Sequence, residues 1–248
     1  MNNQEKMKEY TEGIKTEGNA TVRRTSNFWY HYKWPVVGLL ILALILGVCI
    51  AQSCSKEKED IVVMYAGPCA LSATQSSSLS NAFSVIMPND FDKNGDKKAS
   101  LNTFLIYSRE QIEEIEAETD EYGRHATVDR SQNSSEMQRY ETYIKTGESS
   151  VYLLDPSLYE VLKNDSNQPL QKLEDVLSET PVGALEDGYG IRLGDTKWYE
   201  EYEILRVLPE DTVICLARPY VMGKSSKEKA YAFEKEMFAS LAGVSVKE

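Results

Sequence analysis

Apolar positions along the chain follow two rhythms, broken by one uninterrupted run. Short continuous apolar stretches begin at Ile61 (IVVMYAG), Leu101 (LNTFLIYS) and Val151 (VYLLD), with two more at Tyr189 to Leu193 and Asp211 to Ala217 (DTVICLA). Their length and β-branched content predict strands buried on both faces. Between them the apolar residues recur at helical spacing. Leu79, Phe83 and Ile86 mark a helix over Ser76 to Met87, and an acidic helix follows over Arg109 to Thr119. Residues 120–134 are polar and predict a loop. Asn133-Ser134-Ser135-Glu136 resembles a capping box and opens a helix with Met137, Tyr140 and Ile144 on one face, closed by Gly147. Short helices follow at Pro156 to Leu162 and around Leu170, Leu173 and Leu177. Ser226 caps a last helix carrying Phe233, Met237 and Leu241. Strands separated by helices imply crossover connections. The expectation is a three-layer α/β domain with a largely parallel sheet.

The uninterrupted run is Trp34 to Ala51 (WPVVGLLILALILGVCIA), 18 residues without a charge. A membrane-spanning helix needs about 20 predominantly apolar residues. Phe28, Trp29, Tyr30, Tyr32 and Trp34 precede it, and such rings suit the headgroup interface. Lys6, Lys8, Lys15, Arg23, Arg24 and Lys33 lie on the same side, so the positive-inside rule puts the N-terminus in the cytoplasm. The predicted organisation is a cytoplasmic tail (1–33), a transmembrane helix (34–52), a juxtamembrane spacer (53–60) and an extracytoplasmic domain (61–248). The polar segment ahead of the run is long for a cleaved signal peptide. Ala51-Gln52-Ser53-Cys54 is only a distant match to a lipoprotein cleavage box, so an uncleaved signal anchor in the lipid bilayer is favoured over lipidation at Cys54.

Composition narrows the function. Of 248 residues, 42% are apolar and 27% charged, enough to bury a core. Lys and Arg total 27 against 39 Asp and Glu, a net charge of −12. A nucleic-acid partner is not expected, because phosphate contacts require the opposite sign. Enzymatic signals are poor. The two histidines, His31 and His125, have no triad partners in sequence, and no zinc, P-loop or dinucleotide-binding motif occurs. No enzyme is expected.

One motif carries metal chemistry. Asp90-Phe91-Asp92-Lys93-Asn94-Gly95-Asp96 places Asp90, Asp92 and Asn94 at positions one, three and five of a calcium loop, with Gly95 at the sharp bend. Asp96 adds a further carboxylate. Position twelve, which should be a bidentate Glu, is Leu101, so a strong site needs a carboxylate from elsewhere. The competing and simpler reading is a solvated turn. Cys69 and Cys215 both lie near predicted strand ends. They are either a disulfide or, the preferred reading, two small buried hydrophobes.

The order of segments carries a resemblance. A first strand ending in VMYAGP, a second in FLIYS, a helix ending in Thr146-Gly147-Glu148 that feeds VYLLDP, and then YGIRLGDTKWY and LPEDTVICLARPY follow one another. This resembles one lobe of bacterial extracellular solute-binding proteins of the type II periplasmic-binding class, and in particular short membrane-anchored relatives in low-GC Gram-positive bacteria. It implies a module that captures a small solute or serves a membrane transporter. The chain departs from the family in length: only about residues 168–189 are left for a second lobe. An adaptor that keeps the fold without a pocket is therefore the alternative. In an open α/β sheet a ligand sits outside the carboxyl ends of the strands. Those ends carry Gly67, Pro68, Ser108, Arg109 and Asp155, with Arg218 and Tyr220 after the last strand. Each also has a plain structural role, Pro68 as a turn former, Asp155 as a helix cap and Arg218 as a surface cation. Trp198 either stacks on a flat solute or packs a helix.

Overall fold

A computed structural model describes residues 4, 7, 8, 30, 32–49, 59–119, 123–219 and 225–247. The chain divides into two units, Met1–Glu57 and Lys58–Glu248. In the first, helix α1 (Tyr32–Cys49) has a mean hydropathy of 2.0 and buries none of its residues within the protein. It is long and apolar enough to cross a membrane. Cys54 and most of the tail and spacer lie outside the described residues.

The second unit is α/β. Its sheet has five strands, β1 (Ile61–Gly67), β2 (Ala99–Leu105), β3 (Val151–Leu154), β4 (Gly190–Arg192) and β5 (Val213–Leu216), in the order β2-β1-β3-β5-β4. β1 pairs in parallel with β2 and with β3, whereas β5 is antiparallel to both β3 and β4. The sheet is thus mixed, where a largely parallel one was expected. The segment between β4 and β5 folds as 3-10 turns and one short helix, and it returns the chain beside β4 rather than crossing the sheet.

Alternate residues of each strand feed two cores. Val63, Tyr65, Val151, Leu153, Ile214 and Leu216 face one side, where α2 (Ala73–Ile86) contributes Leu79 and Phe83. Met64, Ala66, Phe104, Tyr152, Leu154 and Cys215 face the other. That face is covered by Tyr140 and Tyr143 of α4 (Arg130–Thr146) and by Leu158, Tyr159 and Leu162 of α5 (Pro156–Lys163). Full burial on both faces explains why these strands are continuous apolar runs rather than alternating ones. The remaining helices are α3 (Arg109–Ala117), α6 (Leu173–Val176), α7 (Lys197–Glu201) and α8 (Ser225–Ala242), with Met237, Phe238 and Leu241 of α8 in the first core.

Several boundaries differ from expectation for identifiable reasons. α2 starts at Ala73, because Ser72 and Gln75 form the capping box. α4 starts at Arg130, inside the expected loop, because the Asp129 side chain accepts from the backbone N–H groups of Ser131 and Gln132. Asn133 is no cap: its amide exchanges two hydrogen bonds with the Tyr107 backbone, at 2.9 and 3.1 Å. Ser226 lies inside α8. Cys69 and Cys215 are free thiols, packed into the two different cores on opposite faces of the sheet. The Trp198 indole donates to the Ser240 carbonyl at 2.8 Å, so it packs a helix. Residues 168–189 pack within the same unit, through bridges Leu170↔Ala217 and Ala184↔Ile191.

Candidate functional site

The parallel trio brings five of the expected ligand residues, Gly67, Pro68, Ser108, Arg109 and Asp155, to one end of the sheet. The Asp155 N–H donates to the Ala66 carbonyl at 2.8 Å, and the Ile106 N–H donates to the Gly67 carbonyl at 3.0 Å. Asp155 is buried and caps α5 by accepting from the Ser157 N–H at 2.9 Å and from the Ser157 hydroxyl. Its other oxygen accepts from Gln111 Nε2 at 2.9 Å. Gln111 is also the capping-box partner of Ser108 at the start of α3. Gly67 is needed for close approach: a Cβ there would lie 2.8 Å from the Tyr65 hydroxyl and 3.3 Å from Asp155 Cβ. Pro68 is partly buried beside it. Arg109 is exposed and paired with Glu113 at 2.9 Å, which raises its pKa. The polar groups at this end are therefore bonded to one another and to helix termini.

Arg218 is elsewhere. Because β5 runs opposite to β3, the residue after it emerges at the other end of the sheet, where the Ala217 N–H donates to the Ser150 carbonyl. Tyr220 lies outside the described residues.

The acidic loop acquires the missing carboxylate. Carboxylate oxygens of Asp60, Asp90 and Asp92 lie within 4.8 Å of one another. Asp60 comes from the residue before β1, and it also accepts from the backbone N–H groups of Asp92 and Lys98. Asp90 accepts from Lys93 and Gly95, which lowers its pKa. Asn94 Oδ1 accepts from the Asp96 N–H at 2.8 Å, and Asp96 is not in the carboxylate group. Phe91 stacks on Phe233 of α8 with ring centroids 4.4 Å apart, which fastens the loop to the domain. Three gathered carboxylates suit a hard cation, with further oxygens needed from backbone and water.

A groove of about 470 Å³ opens between α4, α5 and the end of β5. Ile144, Tyr152, Leu162, Val161 and Pro169 give it apolar walls, and Ser150, Gln168 and Arg218 are among its polar groups. Arg218 Nε donates to the Leu170 carbonyl at 3.2 Å, and no acidic side chain pairs with it among the described residues. Tyr140 is 6% exposed and lines the groove, and its buried hydroxyl, like those of Tyr143 and Tyr231, has no hydrogen-bond partner among the described residues. Gln168 on the rim has φ 47°, a left-handed conformation uncommon outside glycine. Glu234 lies beneath Ser150, whose N–H it accepts at 3.0 Å, and burial raises its carboxyl pKa.

Of the groove residues, sequence reasoning found only Arg218, and for another reason. Tyr140 reads as a core position at helical spacing. The rest come from three segments whose meeting has no local signature. No family model, curated protein or solved structure matches the chain.

Proposed function

We propose that this chain is a membrane-anchored extracytoplasmic binding module for a small solute, with its ligand seat in the groove beside Arg218. In this reading α1 is a single-pass anchor with the N-terminus cytoplasmic. The α/β unit is a three-layer lobe of the type II periplasmic-binding kind, and the loaded module serves a membrane transporter. One observation carries the reading: a concave groove of about 470 Å³ with a mostly apolar surface and Arg218 among the polar residues that line it. Small-molecule sites have this size and character. The proposal assigns no catalysis. It includes calcium as a structural ion held by Asp60, Asp90 and Asp92, the three carboxylates that lie together.

Thermal unfolding of the unit Lys58–Glu248 against sugars, amino acids, short peptides and small organic acids tests it. A solute at about 100 times its dissociation constant adds about 2.7 kcal/mol. That is a rise of roughly 5–10 °C in Tm for a domain of this size. A flat response across the panel overturns the reading. It would favour the second one, an adaptor that keeps the fold without a ligand. The observation on that side is Asp155, whose oxygens are already engaged by Gln111 and Ser157 at the strand ends.

A further inference from the structure

We propose that the groove takes a small amphipathic carboxylate, with its anionic head on the Nη groups of Arg218, which have no partner among the described residues, and its apolar body against Ile144, Tyr152 and Leu162. The inference rests on the groove being the ligand seat, and it names the class of ligand. Two features of the site argue for it together.

The first is charge. Four ionisable side chains line the groove: Glu141, Lys145, Asp165 and Arg218. Lys145 and Glu141 are paired at 3.3 Å. Asp165 accepts from both the backbone and the side-chain amide of Asn167, at 2.8 and 3.0 Å. Asp165 and Arg218 make no ion pair among the described residues, and Arg218 is the cation of the two. Its Nε is fixed on the Leu170 carbonyl, and its backbone N–H donates to the Pro169 carbonyl at 2.7 Å. A guanidinium held at one nitrogen presents its remaining donors in a planar fork, the geometry that matches a carboxylate.

The second is volume. About 470 Å³ exceeds what a simple anion needs, and the walls are mostly apolar. The ligand therefore has a hydrocarbon or aromatic body. The acidic side chains that line the groove are Glu141 and Asp165, whereas Glu234 is bonded to Ser150 and does not line it. This site is at the opposite end of the sheet from Gly67, Ser108 and Asp155.

Calorimetric titration of the unit Lys58–Glu248 with octanoate, and with the neutral octanamide, tests the inference. Octanoate should bind, and octanamide should bind more weakly by about 10- to 100-fold, the equivalent of one charge-assisted contact of about 1.5–3 kcal/mol. Arg218→Gln should cost octanoate the same factor and leave octanamide unchanged. Arg218→Lys keeps the charge and should lose only a few-fold, which guards against a variant that fails to fold. Val161→Glu, at a position 73% exposed on α5, should weaken octanoate without unfolding the domain. If octanamide binds as well as octanoate and Val161→Glu weakens both, the groove stands as a ligand seat and the carboxylate class is overturned. Binding of octanoate that ignores Arg218→Gln also overturns it. If neither compound binds at about 10 mM, far above the range of specific small-molecule sites, the ligand class fails. A Tm rise with another solute would then separate that failure from failure of the binding module itself.

Discussion

Glu234 shows how a single half-buried carboxylate sets a pH dependence. Removal from water disfavours its charged form, and the pKa rises above the ordinary 4.5 even though the Ser150 N–H favours the anion. A carboxyl raised in the folded state contributes fully below its unfolded pKa and loses that contribution as pH rises through the folded value. Glu234→Gln keeps an acceptor for Ser150 and removes the charge. It should therefore raise Tm at about pH 7.5 and leave it unchanged at about pH 3.5, where both forms are neutral. An equal change at both pH values would show that packing, not ionisation, sets the effect. Asp155 makes a second argument at this scale. Its carboxylate caps α5 and holds Gln111, so Asp155→Ala removes a cap and leaves a donor unpaired. The expected cost is about 2–3 kcal/mol by urea unfolding. Asp155→Asn keeps a cap oxygen and should cost less than half as much. Asp155 was legible as a helix cap from the Asp-Pro pair alone. Its bond to Gln111 was not, because the two residues are 44 apart in sequence.

At the scale of elements, burial made the strands legible and direction stayed hidden. The runs at Ile61, Val151 and Val213 are continuous because both their faces are covered, and that pattern is local. Nothing local states which way a strand runs. The reversal of β5 is what moved Arg218 from the expected ligand end to the groove. Helix starts failed for a related reason. Asp129 and Asn133 are both competent caps, and the choice between them depends on Tyr107, which takes Asn133 for its own backbone. The acidic loop is a third case: the motif Asp90 to Asp96 is visible in sequence, whereas Asp60 joins it only because β1 and β2 pair in register from Ile61↔Ala99. Three carboxylates without the bidentate twelfth ligand suggest the weak end of the calcium range, a dissociation constant of about 10⁻⁴–10⁻³ M. About 5 mM calcium should then stabilise the domain by roughly 1–2.3 kcal/mol. This is a rise of about 2–9 °C in Tm, reversed by EDTA. Asp60→Asn should abolish most of the calcium-dependent rise while shifting the metal-free Tm little. A rise unaffected by Asp60→Asn would place the ion elsewhere.

For the whole molecule the decisive quantity is the apolar surface of α1. Its 18 residues rise about 27 Å at 1.5 Å each, close to the roughly 30 Å hydrocarbon thickness of a bilayer. Leu39, Leu44 and Ile45 are 68%, 68% and 51% exposed, and no residue of the span is buried by the protein. A helix apolar on every face and of this length is a candidate to cross a bilayer, where lipid would cover all its sides. Insertion leaves two orientations, and the flanking basic residues choose between them. Arg23, Arg24 and Lys33 lie within reach of one end of the span, with Lys56 and Lys58 at the other. The expected orientation is therefore held by a modest bias. In cells stripped of their wall, external protease should remove a C-terminal tag and spare an N-terminal one. Replacing Arg23, Arg24 and Lys33 together by Gln leaves Lys56 and Lys58 as the nearest cations. The bias then reverses, and a fraction of the chains should show the opposite protection pattern. A C-terminal tag protected in the unaltered protein would put the α/β unit in the cytoplasm. The groove would then face the cell's own metabolites, and service to a transporter from outside would be ruled out.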